Sequence, residues 1–203
     1  MRPLLLVCGW IDRINQKIGR IVGWLVLLAV LISSINALMR YAFDTSSNAW
    51  LELQWYLFSA VFLLCAGYTH LRNEHIRIDI FLNLYPQRTR AWIDVLGGLI
   101  FLLPMAIIIG ELSIDMVRDS IVRGEESGNA GGLLRWPVKI LIPIGFLLLT
   151  LQGISEVVKR VAFLMGKAPD PAEEAKPQGS HVPDPLMAEV AEGAQPPGDR
   201  SHA

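Results

Sequence analysis

The stretch Ile21–Met39 reads IVGWLVLLAVLISSINALM and contains no charged residue over 19 positions. Nineteen residues of α-helix rise about 28 Å, and the hydrocarbon core of a bilayer is about 30 Å thick. Apolar residues occupy every side of such a helix, so it offers no polar face to water. The stretch therefore predicts a membrane-spanning helix, and it sets the class of fold for the rest of the chain.

Three further apolar segments follow this one. They comprise residues 53–69, 95–110 and 140–155, and each reaches the length of a span once its mildly polar flanks are included. The chain is 52% hydrophobic, and four such segments in one chain are not typical of a soluble domain. We predict an all-α membrane protein in which residues 21–165 form a domain of four transmembrane helices.

The two ends of the chain differ from this domain. In residues 1–20, isoleucines recur at helical spacing, which predicts an amphipathic helix lying in the membrane interface. The polar side chains that we expect to face away from its apolar side are Asp12, Arg13, Asn15, Gln16, Lys17 and Arg20. A cleaved or disordered leader is the alternative. Residues 166–203 are rich in Pro, Ala and Glu, which predicts a disordered tail.

Lysine and arginine are unevenly distributed among the segments that connect the spans. Residues 1–20 carry four, residues 70–94 carry four more, and the first connection carries Arg40 alone. Basic connections stay predominantly in the cytoplasm. We therefore predict a multi-pass protein whose N-terminus, second connection and C-terminal tail are cytoplasmic.

Several classes of function find no support in the sequence. It contains none of the common motifs for hydrolases, zinc enzymes or phosphate binding, and no basic pattern typical of nucleic-acid binding. Its two cysteines lie far apart, and its histidines are not placed to face one another from different spans. We predict no catalytic residue, no cofactor and no metal site.

The middles of the spans are nearly free of charge. Gln152 is the main polar residue of the fourth segment, and such residues usually join helices by hydrogen bonds. The third connection holds four glycines between residues 124 and 132. This composition predicts a mobile loop.

The segment His75–Asp79 reads HIRID and alternates polar with apolar residues. In an extended chain it presents His75, Arg77 and Asp79 on one edge and isoleucines on the other. A largely apolar run follows it up to Tyr85. We interpret this HIRID segment as a folded cytoplasmic element held against the spans or a partner. An ordinary positively charged loop is the alternative.

The order of motifs along residues 10–165 resembles the small membrane subunit of tripartite ATP-independent periplasmic (TRAP) transporters, the DctQ-like subunit. The residues that carry the resemblance are NALMRYAF at 36–43, Trp50-Leu51-Glu52, HIRID at 75–79, Leu133–Pro137 and IPIG at 142–145. Leu53 stands where the family often has a second acid after the one that matches Glu52.

This resemblance implies an importer of three parts in the bacterial inner membrane. A periplasmic binding protein delivers an organic acid or related solute, and a large permease carries it inward with an ion gradient. The small subunit then scaffolds the large one and contacts lipid. The resemblance places Arg40, Trp50 and Glu52 in the periplasmic loop where the binding protein docks, and His75, Arg77 and Asp79 in a cytoplasmic brace. An independent small carrier or channel and a membrane anchor for a redox enzyme remain alternatives.

Overall fold

The computed structural model describes residues 2–44, 47–72, 85–169 and 171. Three of the predicted site residues, His75, Arg77 and Asp79, lie outside the described residues. So does the greater part of the predicted tail. The account below therefore concerns the four predicted spans, the N-terminal arm and the connection between the third and fourth spans.

Four long helices make up the described fold. They are α1 (Arg2–Phe43), α2 (Asn48–Leu71), α3 (Gln87–Val122) and α4 (Trp136–Leu164). Each is long and apolar enough to cross a membrane, which confirms the predicted all-α membrane class with four spans. One π-helical turn, Gly98–Leu102, interrupts α3.

Helix α4 lies at the centre of the arrangement. Helices α1 and α2 pack against each other and against α4, and α3 packs chiefly on α4 within the described part of the chain. Asn15 contacts Gln152 while Asp12 contacts Lys159, so α1 runs antiparallel to α4. Asp94 contacts Arg160 while Gly110 lies beside Phe146, so α3 does the same. The beginning of α1 and the end of α4 therefore lie at one end of the bundle, which we call the terminal end.

The N-terminal arm and the first span form one continuous helix. Helix α1 has 42 residues, which at about 1.5 Å each gives about 63 Å, twice the thickness of the hydrocarbon core. No proline occurs between Ile11 and Phe43, so nothing in the sequence forces a break near Arg20. The amphipathic arm is thus the first half of the helix that forms the first span.

Glycine lets α2 and α4 approach closely at two points. A Cβ atom on Gly145 of α4 would lie 2.7 Å from the carbonyl oxygen of Leu63, and one on Gly67 of α2 would lie 3.2 Å from the carbonyl oxygen of Leu148. Small residues at such crossings allow the close backbone packing that holds membrane helices together. The two glycines also fix α2 and α4 as parallel neighbours.

Candidate functional site

Glu52 is the centre of a hydrogen-bonded group at the end of the bundle where α2 begins, which we call the hairpin end. Its side chain projects from the second turn of α2 and is only 6% exposed. Its carboxylate accepts hydrogen bonds from the Asn129 side chain at 2.8 Å, from the Leu133 backbone N–H at 2.7 Å and from the Ser127 hydroxyl. All three donors belong to the connection between α3 and α4.

That connection, residues 123–135, is a folded hairpin. Backbone hydrogen bonds join Ser127 N to Leu133 O at 3.0 Å and Arg135 N to Glu125 O at 2.9 Å. Gly124 and Gly131 have φ values of +58° and +71°, a conformation that glycine adopts without the cost of a side chain. The prediction of a mobile loop is wrong, because these glycines form the turns of a hydrogen-bonded structure.

Further contacts fasten the hairpin to its neighbours. The Asn48 side chain donates to the Ala130 carbonyl at 3.1 Å, and the Tyr56 hydroxyl donates to the Leu134 carbonyl at 2.8 Å. Glu125 accepts a hydrogen bond from Lys139, which lowers the pKa of Glu125 below its ordinary value. The contribution of that contact is therefore present at neutral pH and is lost only as the pH falls through the lowered pKa.

The other two predicted residues at this end are on the surface. Trp50 is 51% exposed and lies two residues before Glu52 near the start of α2, and Arg40 is exposed in the last turn of α1. Glu52 thus has an internal role as the anchor of the hairpin. Trp50 and Arg40 are the ones that a partner can reach.

A second polar cluster lies at the terminal end, between α1 and α4. Gln152 is fully buried, accepts a hydrogen bond from Asn15 at 2.8 Å and donates one to Asp12 at 2.9 Å. Lys159 pairs with Asp12 at 3.0 Å and with Glu156 at 2.5 Å. We call Asp12, Asn15, Gln152, Ser155, Glu156 and Lys159 the terminal cluster. The predicted role of Gln152 in joining helices is confirmed.

The terminal cluster corrects the expectation for two residues of the arm. Asp12 and Asn15 were expected to face away from the bundle with the other polar residues, yet Asn15 is 1% exposed and both bond to α4. The matching signal is present on α4, where polar residues recur every three or four positions, at Gln152, Ser155, Glu156, Lys159 and Arg160. That spacing places them on one face of a helix.

Arg160 extends this polar face toward α3, where it pairs with Asp94. Both side chains are largely buried. Charged side chains on three helices thus meet at the terminal end. Among the described residues, no group of three His, Cys, Asp or Glu side chains is arranged to hold a metal ion.

The model of the family described as "Tripartite ATP-independent periplasmic transporters, DctQ component" matches residues 15–163. The chain belongs to this family. It is therefore a small permease subunit of a TRAP transporter, a component of a transporter rather than a member of an enzyme family. Comparison with curated proteins and with solved structures gives no match. The range matched by the DctQ model includes Glu52, the hairpin and every member of the terminal cluster except Asp12.

Replacing Glu52 tests the anchor of the hairpin. In Glu52→Ala the three donors lose the acceptor that ties the hairpin to α2. We expect trypsin to cut the purified subunit faster at Arg123 and Arg135, which flank the hairpin. Glu126→Ala is the matched control, because Glu126 is an exposed carboxylate in the same hairpin. Equal cleavage rates in the two variants would contradict the anchoring role.

Replacing Lys159 tests the terminal cluster. Lys159→Met leaves Asp12 and Glu156 without their shared cation, and we expect a clearly lower midpoint of thermal unfolding of the purified subunit. The loss should stay below the about 3–5 kcal/mol typical of a fully buried pair, since Lys159 and Asp12 are partly exposed. Lys167→Met removes an exposed lysine just beyond α4 and should leave the midpoint unchanged. Matching midpoints would show that the ion pairs add no stability.

Proposed function

We propose that this DctQ subunit is a scaffold for the large TRAP permease and has no solute site of its own. In this proposal, the complete transporter imports an organic acid or related solute, which a periplasmic binding protein delivers, and couples import to an ion gradient. The small subunit sits in the bacterial inner membrane with both termini in the cytoplasm. Its task is to hold the permease in a fixed orientation in the bilayer.

The observation that carries this proposal is the internal use of polar side chains. Glu52 is occupied by the hairpin, and Lys159 by Asp12 and Glu156. Solute sites in secondary transporters usually combine charged groups near the middle of the membrane with broken helices. In the described chain the charged clusters lie toward the ends of the helices and bind other parts of the same chain, which favours a structural role.

The outer faces of the helices supply the packing surface that a scaffold needs. Large apolar side chains are exposed along all four helices, among them Leu31, Phe58, Phe62, Ile108 and Leu147. Lipid or a partner helix must cover them, and van der Waals packing is the main force between helices in a membrane. A second membrane subunit fits this surface better than an aqueous partner does.

Two partner contacts belong to the same proposal. Arg40 and Trp50 at the hairpin end form the surface on which the binding protein docks. Both are exposed, and arginine and tryptophan are enriched at the hot spots of protein interfaces. The HIRID segment with His75, Arg77 and Asp79, which lies outside the described residues, is the second contact and is proposed to brace the cytoplasmic side. This second contact rests on the sequence pattern alone.

Reconstitution tests the scaffold role directly. Liposomes that contain the large permease, the binding protein and this subunit should take up solute, and omission of this subunit should abolish uptake. In the complete system, Trp50→Ala should raise the concentration of binding protein that gives half-maximal uptake. Uptake by this subunit alone would favour an independent carrier, and a haem spectrum of the purified subunit would favour a redox anchor. Either result would overturn the proposal.

Fusion reporters test the orientation. Alkaline phosphatase and a fluorescent protein fused after Phe43, Tyr85, Gly128 and Gly166 should report periplasm, cytoplasm, periplasm and cytoplasm in that order. The expectation follows from the concentration of basic residues in residues 1–20 and 70–94. Phosphatase activity at Tyr85 would reverse the assigned sides.

A further inference from the structure

A groove of about 580 Å³ lies between α2, α3 and α4. It exists because α2 and α3 both pack on α4 and leave a space between them. Small residues form part of its wall, among them Ala66 on α2, Gly97 on α3 and Gly153 on α4. The π-helical turn Gly98–Leu102 borders the same space, and such turns occur frequently at functional sites.

The groove has an apolar body and one polar end. Phe101 and Met105 line it and are 73% and 63% exposed, so the groove opens on the outside of the bundle, where the membrane lies. Its polar groups include Asp94, Glu156 and Arg160 toward the terminal end. Sites for small amphiphilic molecules commonly have this volume and this distribution of polar groups.

Glu156 leaves one acceptor unused at the polar end. The residue is 5% exposed, and its Oε1 atom accepts hydrogen bonds from Lys159 at 2.5 Å and Gln152 at 3.4 Å. Its Oε2 atom has no hydrogen-bond partner. Lys159 also pairs with Asp12, so one ammonium group serves two carboxylates. The contact therefore retains a net negative charge and one free acceptor.

We propose that this groove binds a phospholipid with an ammonium head group, of the phosphatidylethanolamine class. An acyl chain lies along Phe101 and Met105, and the ammonium group donates a hydrogen bond to Glu156 Oε2. Glu156 is one of the residues that line the polar end of the groove, and its Oε2 atom is an acceptor without a partner. The positive charge of the ammonium group complements the surplus carboxylate, and this proposal does not depend on the scaffold role.

The volume favours a lipid chain over a helix of a partner. A helix about 10 Å wide and about 30 Å long occupies about 2,400 Å³, four times the volume of the groove. The groove therefore cannot enclose such a helix. A single side chain of the large permease is the alternative occupant of the groove, and the experiment below distinguishes it from a lipid.

Two substitutions address the two parts of the groove. A Cβ atom on Gly97 would meet nothing within 4 Å, and its φ of −59° is helical, so Gly97→Leu fills the groove without a clash at the backbone. Gly23→Leu is the matched control, because Gly23 is exposed on α1 with equal space around it. Glu156→Gln keeps the shape of the side chain and removes its charge.

Native mass spectrometry of the full-length subunit measures the outcome. The protein is released from nanodiscs that contain equal amounts of phosphatidylethanolamine, phosphatidylglycerol and phosphatidylcholine. We expect one retained phospholipid, with about a tenfold preference for phosphatidylethanolamine, the ratio that one charge-assisted hydrogen bond supplies. Gly97→Leu should lose the lipid, Glu156→Gln should lose the preference, and Gly23→Leu should behave as the wild type.

Three results would overturn the proposal. Equal retention of the three phospholipids by the wild-type chain would remove the role of the ammonium group, and this comparison needs no variant. A preference that persists in Glu156→Gln would place the head group elsewhere. Absence of retained lipid, together with loss of permease binding in Gly97→Leu but not in Gly23→Leu, would assign the groove to a side chain of the permease.

Discussion

Lipid gives apolar helices no hydrophobic reason to associate, since the acyl chains are as apolar as leucine. Helices in a membrane are held by close packing and by hydrogen bonds between them. In this subunit both kinds of contact converge on α4. Gly145 and Gly67 bring α2 and α4 close to each other, and Gln152 bonds to two residues of α1. The positions of α1 and α2 depend on these contacts, and α3 packs chiefly on the same helix.

The two polar clusters apply the same constraint at opposite ends of the bundle. Glu52 fastens the hairpin to α2, so that the connection from α3 to α4 is held to the helix beside α4. Lys159 fastens α1 to α4 at the terminal end. Because both ends are fastened by charged hydrogen bonds, relative sliding of the helices would expose unpaired groups at a cost. A fixed frame fits the proposed role as a scaffold for the large permease.

Hydropathy was sufficient to predict the four spans, because the transfer of about 20 apolar residues outweighs most local effects. Glu52 could also be singled out, but only through the resemblance to the DctQ family. Its partners could not, because Ser127, Asn129 and Leu133 lie more than 70 positions away and their glycine-rich surroundings suggested mobility. The contacts of Asp12 and Asn15 were missed as well, because the charged end of the fourth segment was interpreted as a flank of the span and not as their partner.

The length of α1 reconciles the continuous helix with the predicted interfacial arm. A straight helix of about 63 Å, tilted by about 40°, the upper end of the usual range, still spans about 48 Å along the membrane normal. A bilayer with its head groups is about 40–45 Å thick, so even this tilt carries the first turns through the head-group layer. Trp10, near the beginning of α1, is 65% exposed, and tryptophan prefers the head-group layer. The arm and the span are then two parts of one helix that lie at different depths in the membrane. The hydrogen bonds of Asp12 and Asn15 to α4 hold α1 at the point where its polar residues leave the hydrocarbon core.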